Sequence, residues 1–358
     1  MKKMDSPGIN QKTPEEELAP QVYKAMQELH ECKLCSWECG VDRLSDERGV
    51  CLLNLPEVAS FQLHPAPPAS FTVFTVSCNF KCLNCQNCEI AHGYIHDSTQ
   101  TLGWVNPRPI AKEGLRAINS WSGKIIGADR LFFSGGSPTV SLPWVEQVVA
   151  EAKKIDPTVK VNFDTNGFPT KESFKRILHI SDSITFDIKA VSDLLHQQLT
   201  GAPVEPVLRN VETMAHHREK LWEFRILVIP GIIDQTEIAN IAEFITDLNP
   251  TLPVCFLTFR PNFCLDIHPG ATIKLMKQAV KIAKEKGLEA VSWAGFTDIS
   301  GTPIEIDLSV QAKFQREDEQ IAATYAMRAG CQTTPRACGT CVRKLDCPLK
   351  SYVPIRST

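Results

Sequence analysis

The chain has 358 residues, of which 43% are hydrophobic and 22% charged, and its formal net charge is −3. This length and composition fit one large globular domain with small extensions. The nearly balanced charge disfavours nucleic acid as a main partner, and no apolar run is long enough to cross a membrane.

Apolar runs alternate with amphipathic helical segments over most of the chain. A short helix at 21–31 precedes a proline-rich connector at 56–70, and a polar helix is expected at 309–328. Apolar strands that alternate with helices are typical of a parallel sheet buried on both faces. We therefore predict an α/β fold containing a partial (β/α)6-type barrel. The predicted strands are 71–77, 130–136, 160–167, 183–190, 223–231, 253–261 and 288–296, and the helices between them include 144–155, 171–179, 205–218, 236–248 and 271–286.

Polar or glycine-containing sequences follow six of these strands. Any one of them is explained by a turn that needs Gly or Asn, but six in register predict a site at one rim of the barrel, where the carboxyl ends of the strands meet. The sequences are SCNFKC, SGGSP, DTNG, DIKA, PG and FRPNF.

Cysteine is unusually frequent, and most of its fourteen residues are clustered. Spacings of two or three residues favour metal binding, because neighbouring thiolates converge on one ion or cluster. A disulfide framework fits less well, since such frameworks belong to small secreted domains. We therefore expect metal centres and a reducing, oxygen-poor cytoplasm. The groups are Cys32, Cys35, Cys39 and Cys51; Cys78, Cys82, Cys85 and Cys88; and Cys331, Cys338, Cys341 and Cys347.

The central group begins with C-x3-C-x2-C directly after the first predicted strand, formed by Cys78, Cys82 and Cys85. Three thiolates can hold three irons of a [4Fe–4S] cluster and leave the fourth iron open to a ligand. We therefore predict that these three cysteines are the catalytic metal ligands.

Together with the strand ends, this motif resembles the radical S-adenosylmethionine (SAM) superfamily, most closely the pyruvate formate-lyase activating enzyme group. The matching segments are Cys85-Gln-Asn, GGSP at 135–138, DTNG at 164–167, DIK at 187–189, LTG at 199–201 and VIPG at 228–231. The resemblance implies that SAM binds the open iron and is split by an electron into methionine and a 5′-deoxyadenosyl radical. It implies cofactor contacts at Phe80, Asn84, Gly135, Gly136, Ser137, Asp164, Asn166, Asp187, Lys189 and Arg225, and a monovalent-cation site at Asp164, Thr165, Asp187 and the carbonyl of Thr185.

Two departures from the family pattern stand out. Asn84 occupies a position before the last cluster cysteine that is usually aromatic, and we expect Phe80 to take over part of that role. The segment 259–263 replaces a His-rich segment of the activating enzymes. The installation of a glycyl radical therefore does not carry over with the resemblance.

The outer cysteine groups leave the bound metal open. The N-terminal group fits Zn²⁺, a mononuclear iron or a second [4Fe–4S] cluster, and we favour a structural staple or a rubredoxin-like iron. The C-terminal group contains C-x2-C-x5-C and resembles the auxiliary-cluster modules (SPASM and twitch types) of peptide-modifying radical SAM enzymes. We favour an iron–sulfur cluster there, with a zinc knuckle as the alternative.

These patterns divide the chain into three regions. Residues 1–60 form an extension with a metal site of four cysteines, 61–300 the barrel, and 301–358 a cysteine-rich auxiliary region. Cys88, Cys255 and Cys264 are expected to be ordinary core residues, although Cys264 follows a strand end and an orientation into the cavity is the alternative. Tyr94 is a weaker active-site candidate, because it lies close to the cluster loop.

The resemblance implies an enzyme that abstracts hydrogen from a protein or peptide substrate and takes electrons from a donor such as ferredoxin or flavodoxin. One alternative is a cobalamin-dependent C-methyltransferase acting on a protein residue, for example a glutamine of methyl-coenzyme M reductase. A glycyl-radical enzyme activase is another. A third is a non-enzymatic store or sensor of iron–sulfur clusters, which the intact SAM-binding segments disfavour because a sensor needs no SAM site.

Overall fold

The computed structural model describes residues 20–92, 101–295, 304–333 and 335–351, and Tyr94 lies outside these ranges. Within them the chain forms an eight-stranded sheet whose strands follow each other in sequence order. The first two strands are antiparallel and all later neighbours are parallel. The strands are β1 Val58–His64, β2 Ser70–Thr75, β3 Arg130–Gly135, β4 Lys160–Thr165, β5 Ser183–Asp187, β6 Leu221–Val228, β7 Val254–Thr258 and β8 Val291–Ala294.

Helices connect the parallel strands, as a βαβ succession requires. The sequence-ordered sheet and its helical connections confirm the predicted α/β fold and partial barrel. The α-helices are Pro20–Met26, Cys88–Ala91, Pro107–Asn119, Trp121–Ile126, Leu142–Ile155, Lys171–Ile180, Asp193–Thr200, Glu205–Ala215, Gln235–Leu248, Ile273–Glu285, Leu308–Gln311, Glu317–Arg328 and Pro348–Ser351, and the 3₁₀ helices are Gln27–Glu31, Arg43–Ser45, Pro138–Ser141, Arg218–Lys220 and Phe263–Leu265.

A row of aromatic side chains runs through the sheet. Phe163, Phe186 and Phe224 lie on successive strands and are fully buried. The rings of Phe186 and Phe224 meet edge to face, with centroids 5.4 Å apart. Each such side chain contributes about 2 kcal/mol through burial, so this row stabilises the packing of the three strands. It thereby holds their carboxyl ends at one rim.

The predicted connector at 56–70 is wrong, because β1 lies within it. This strand alternates apolar and polar residues, pairs with β2 on one side only, and therefore lacks the continuous apolar run of the central strands. The predicted domain boundary at residue 60 falls inside β1. The turn after β1 reaches across the barrel, where the Pro67 carbonyl accepts a hydrogen bond from Arg225 at 3.1 Å.

The single helix predicted at 309–328 is also wrong, because two helices occupy this segment. The second helix begins at Glu317, with Asp318 and Glu319 in its first turn. Acidic side chains stabilise a helix N-terminus through its dipole, so this acidic run marks a new start rather than a helix interior. None of the helices in the described ranges has the length and apolar content to cross a membrane.

Candidate active site

The loop of the central cysteines follows β2 and rests on the segment 199–201. The backbone N–H of Lys81 donates to the Thr200 carbonyl at 2.7 Å, and that of Leu83 donates to Leu199 at 2.9 Å. Ser77, just before the loop, adopts a left-handed conformation with φ of 73°. The LTG segment that matches the family is therefore the support on which the cluster loop lies.

A cavity of about 240 Å³ opens at the carboxyl ends of the strands. Its walls contain Cys78, Cys82 and Cys85, and Cys88 is not among the residues lining it. Nine of the ten predicted SAM contacts line the same cavity. They are Asn84, Gly135, Gly136, Ser137, Asp164, Asn166, Asp187, Lys189 and Arg225.

Phe80 is not among the residues that line this cavity, and its role beside the cofactor stays a prediction. Its ring is buried against Phe168 and His196, with centroid distances of 5.1 and 5.4 Å. The aromatic residue thus anchors the loop from below. Asn84, the residue that departs from the family pattern, does border the cavity.

The glycines of the GGSP segment have a packing role that the sequence analysis did not predict. A β-carbon on Gly135 would lie 2.5 Å from the Thr75 nitrogen, and one on Gly136 only 1.8 Å from the Ser77 carbonyl oxygen. The backbone N–H of Ser137 donates to that same carbonyl at 2.8 Å. Glycine is therefore required for contact with the end of β2 as well as for any approach to a ligand.

Asp164 is held firmly on the cavity wall. Its carboxylate accepts hydrogen bonds from the Ser134 hydroxyl at 2.7 Å and from the Thr185 hydroxyl at 2.9 Å. Burial raises the pKa of Asp164, and the nearby Asp187 carboxylate raises it further. Two carboxylates in one buried wall favour neighbouring positive charge. The cation site that the family resemblance implies at Asp164 stays a prediction.

Two basic side chains face these carboxylates. Lys189 donates to Asp187 at 2.8 Å, and its pKa is raised although burial opposes the rise, because Asp187 and Cys82 lie close to its ammonium. Arg225 donates through Nε to Glu223 at 2.7 Å and through Nη2 to Pro67. Both side chains are therefore held in position as the cationic part of the wall.

Burial also affects the central thiols. It raises the pKa of Cys82 to about 12 and that of Cys85 well above its usual value. A thiol with a raised pKa stays protonated at neutral pH unless a metal ion binds to it, because metal binding favours the thiolate. The side-chain amide of Asn166 donates to the side-chain oxygen of Asn79, within the cluster loop, at 2.7 Å and so helps to hold this loop in place.

The N-terminal cysteine group lies beside the cluster loop. The indole N–H of Trp37 donates to the Asn79 carbonyl at 2.7 Å, and the Ser77 hydroxyl donates to the Cys51 carbonyl. Its four cysteines line one small cavity of about 10 Å³, which has room for about one water-sized sphere. The buried Arg43 donates to Cys32 Sγ at 3.6 Å.

The C-terminal group meets the same loop from another direction. Arg336 is fully buried and donates to the carbonyls of Lys81, Gln198 and Leu199. The backbone N–H of Cys338 donates to the Gly201 carbonyl at 3.2 Å. A β-carbon on Gly339 would lie 2.3 Å from the Trp37 ring, so the two outer groups also touch each other.

All fourteen cysteines are free thiols in the structure. In the part of the chain that the structure describes, no three His, Cys, Asp or Glu side chains converge closely enough to bind one ion. A cubane does not need this convergence, because each thiolate binds a different iron. A single ion in the N-terminal group would draw its sulfurs together.

The sequence analysis missed the buried cations beside the outer groups. Arg43 lies four residues after Cys39 and donates to the sulfur of Cys32. Arg336 lies two residues before Cys338. Lys81 lies between two cluster cysteines and is 5% exposed. The only sequence signal was a basic residue placed among cysteines, and such a residue is ordinarily exposed.

Comparison with known proteins agrees with this geometry. Residues 72–245 match the family model described as the Radical SAM superfamily. The chain contains a radical SAM domain. This domain spans β2 to the helix after β6, and it includes the central cysteines and all the matching SAM segments.

Curated relatives of the radical SAM domain are activating enzymes. The pyruvate formate-lyase-activating enzyme of Staphylococcus epidermidis is 25% identical over 204 residues, covering 55% of this chain and 76% of the relative. That of Staphylococcus aureus strain USA300 is 24% identical over the same lengths. The superfamily and these relatives make the chain an enzyme.

Solved structures show more distant similarity. A domain of the pyruvate-formate lyase-activating enzyme from Bacteroides vulgatus aligns with a TM-score of 0.39 and 21% identity, over 47% of this chain and 100% of that one. Streptococcus suis SuiB bound to S-adenosylmethionine aligns with a TM-score of 0.45 and 13% identity, over 61% of this chain and 48% of that one.

Proposed function

We propose that the enzyme cleaves SAM reductively and uses the 5′-deoxyadenosyl radical to take hydrogen from an unactivated carbon of a protein or peptide. When bound, a [4Fe–4S] cluster with one open iron supplies the electron for this cleavage. The observation that carries the proposal is that three cysteine thiols, and not four, line a cavity whose other walls are the matched SAM segments.

The chain's own residues supply the binding site. Cys78, Cys82 and Cys85 would hold the cluster as thiolates. The backbone of Gly135 to Ser137 offers polar groups to an amino acid moiety, and Lys189 with Arg225 offers positive charge to a carboxylate. This set of groups suits a zwitterionic ligand such as SAM.

The substrate class follows from the relatives. The staphylococcal proteins are by name activating enzymes of pyruvate formate-lyase, which is itself a protein. We therefore favour a protein or peptide substrate, an electron donor such as ferredoxin or flavodoxin, and a reducing cytoplasm. Cobalamin-dependent methylation and glycyl-radical activation remain the alternatives, and the free cysteines and SAM segments are shared by all three.

The proposal predicts that reconstituted enzyme with SAM and dithionite forms 5′-deoxyadenosine. Cys82→Ala is expected to abolish product, because it removes a cluster ligand from the cavity wall. Cys88→Ala is the matched control and is expected to retain activity, since this cysteine lies outside the cavity lining. Product would be quantified by liquid chromatography. Equal product from wild type and Cys82→Ala would overturn the proposal.

The alternatives separate in the purified protein. A corrinoid absorbance, and transfer of a methyl group that methylcobalamin stimulates, would indicate methylation. A stable glycyl radical on a partner protein, seen by electron paramagnetic resonance, would indicate activation. Transfer of deuterium from a labelled peptide into 5′-deoxyadenosine, with neither a corrinoid nor a glycyl radical present, would indicate hydrogen abstraction without methylation or activation.

The outer groups belong to the same proposal. We assign a single structural ion, zinc or iron, to the N-terminal cysteines and an iron–sulfur cluster to the C-terminal ones. Support for the first is the small cavity that its four cysteines line, and support for the second is the buried cation of Arg336, two residues before Cys338. Iron, zinc, sulfide and cobalt counted per chain after anaerobic purification would test both assignments.

A further inference from the structure

Arg316, in the C-terminal region, forms an ion pair with a carboxylate of the barrel. Its guanidinium lies 3.0 Å from the carboxylate of Glu237 and donates to the Ser192 hydroxyl at 2.7 Å. The side chain of Glu237 is fully buried. A buried carboxylate needs hydrogen bonds and a compensating charge. Within the described ranges, Arg316 is the only residue that forms an ion pair with Glu237.

Glu237 in turn holds the turn that follows β5. Its Oε1 accepts from the backbone N–H groups of Val191 and Ser192 at 2.8 and 2.9 Å, and its Oε2 accepts from the Ser192 hydroxyl. Hydrogen bonds to an ionised carboxylate are among the strong ones. Val191 comes two residues after Lys189, which lines the central cavity together with Asp187. The carboxylate therefore fixes the backbone next to a cavity residue.

The helix that begins after Arg316 is itself fixed on the neighbouring strand end. Burial lowers the pKa of His268, so its ring is neutral at pH 7. Nε2 of this ring donates to the Pro230 carbonyl at 2.7 Å, because a carbonyl only accepts, and Nδ1 accepts from the Tyr325 hydroxyl at 2.8 Å. Tyr325 belongs to the helix Glu317–Arg328, and Pro230 follows β6. Arg316 therefore projects from an element that is held in place.

We infer that Arg316 is a positioning residue for the proposed SAM site. It acts through Glu237 and Ser192 on the segment that carries Asp187 and Lys189. The guanidinium neutralises the buried carboxylate, the carboxylate binds two amides, and the bound turn keeps the Lys189 ammonium where a ligand carboxylate would meet it. The inference rests on the SAM site proposed above, and it gives the C-terminal region a part in cofactor binding that does not involve its cysteines.

The test replaces Arg316 by methionine in the full chain, reconstituted anaerobically with iron and sulfide. Arg176→Met is the matched control, because Arg176 also binds two carboxylates, those of Glu28 and Glu146, and is similarly exposed, at 27% against 31%. It lies on the helix Lys171–Ile180, none of whose residues lines the cavity. The dissociation constant of SAM is measured by equilibrium dialysis without reductant, alongside amide hydrogen exchange and thermal unfolding.

Arg316→Met is expected to weaken SAM binding about tenfold, within the usual range of coupling between two sites, and to speed amide exchange over residues 187–193. In 5′-deoxyadenosine formation the KM for SAM should rise while kcat stays the same, because ground state and transition state lose the same binding. Arg176→Met should change neither SAM affinity nor this exchange, although both variants should lower the unfolding midpoint.

Glu237→Gln should reproduce the effect of Arg316→Met on SAM affinity. The double variant should bind SAM no more weakly than the weaker-binding single variant, because the two side chains act as one unit. If Arg316→Met does not fold, Ser192→Ala removes only the hydroxyl that binds both groups, and it should weaken SAM binding about threefold.

Equal SAM affinity in Arg316→Met and Arg176→Met would overturn the inference. So would losses that add up in the double variant, faster exchange over 187–193 without a change in SAM affinity, or unchanged affinity in Ser192→Ala. A wild type that binds SAM without cleaving it would overturn the proposed reaction alone, because the dialysis needs no turnover. A wild type that binds no SAM would overturn the proposed site and this inference together.

Discussion

The two outer cysteine groups contain four cysteines each but have different surroundings. Each has a buried arginine beside it with one unpartnered nitrogen, Nη2 in Arg43 and Nε in Arg336. The N-terminal cysteines line one small cavity. The C-terminal segment carries strongly exposed side chains next to its cysteines, with Val342 99% exposed and Leu345 55% exposed.

This difference indicates different tasks. A metal in a small cavity holds the chain around it together, and its loss exposes buried groups. A metal in an exposed segment contributes less to the fold and lies nearer to an approaching electron donor or substrate. Under the proposed metal assignments, the two arginines would offset the negative charge of the thiolates. The exposed apolar side chains suggest that only the C-terminal centre is open to a partner.

The largest effect is expected when one ligand is removed from each group. Cys35→Ser should lower the free energy of unfolding by more than about 3 kcal/mol, because loss of a structural metal ranks among the most destabilising changes. Cys341→Ser should cost about 1 kcal/mol or less, because its segment is open to solvent. Urea unfolding of the metal-loaded proteins measures both. Equal losses would remove the distinction between the two groups.

The next prediction concerns the contact between the C-terminal group and the cluster loop. Gly201 has φ of +81°, and an added β-carbon would collide with Cys338. Gly103 has φ of +63° and open space around it. Gly103→Ala should therefore cost about 1 kcal/mol for the backbone alone.

Gly201→Ala should cost clearly more and should also lower the C-terminal metal content. Urea unfolding and metal counts on the two alanine variants measure the difference. If both variants lost the same stability and kept their metal, the collision with Cys338 would have no effect. The contact between the C-terminal cysteine group and the cluster loop would then matter less than the structure indicates.

The barrel and its rim were predictable because the signals are local. Buried parallel strands carry continuous apolar runs, and their carboxyl ends necessarily share a rim. This is why Asp164 and Lys189 could be assigned to one cavity from separate segments. The edge strand β1 was missed because an edge strand lacks that run, and its flanking prolines resemble a connector.

The relations between the cysteine groups were not predictable, because they depend on contacts distant in sequence. Arg336 meets Lys81 across 255 residues. Nothing local in either segment specifies that contact. The packing of Phe80 was not predictable for the same reason, because its partners Phe168 and His196 lie in other segments of the chain. Charged residues among cysteines gave no indication of being buried.

The smallest expected effect tests how the N-terminal group contacts the cluster loop. Trp37→Phe removes the hydrogen bond to the Asn79 carbonyl and should cost about 1 kcal/mol. Trp144→Phe removes a bond of 2.7 Å to the Val105 carbonyl, which lies outside the cluster loop, and is the matched control. Only the first change should slow 5′-deoxyadenosine formation, because only Asn79 belongs to the loop of the catalytic thiols. Equal rates in the two variants would mean that the N-terminal group stabilises the chain without positioning the cluster.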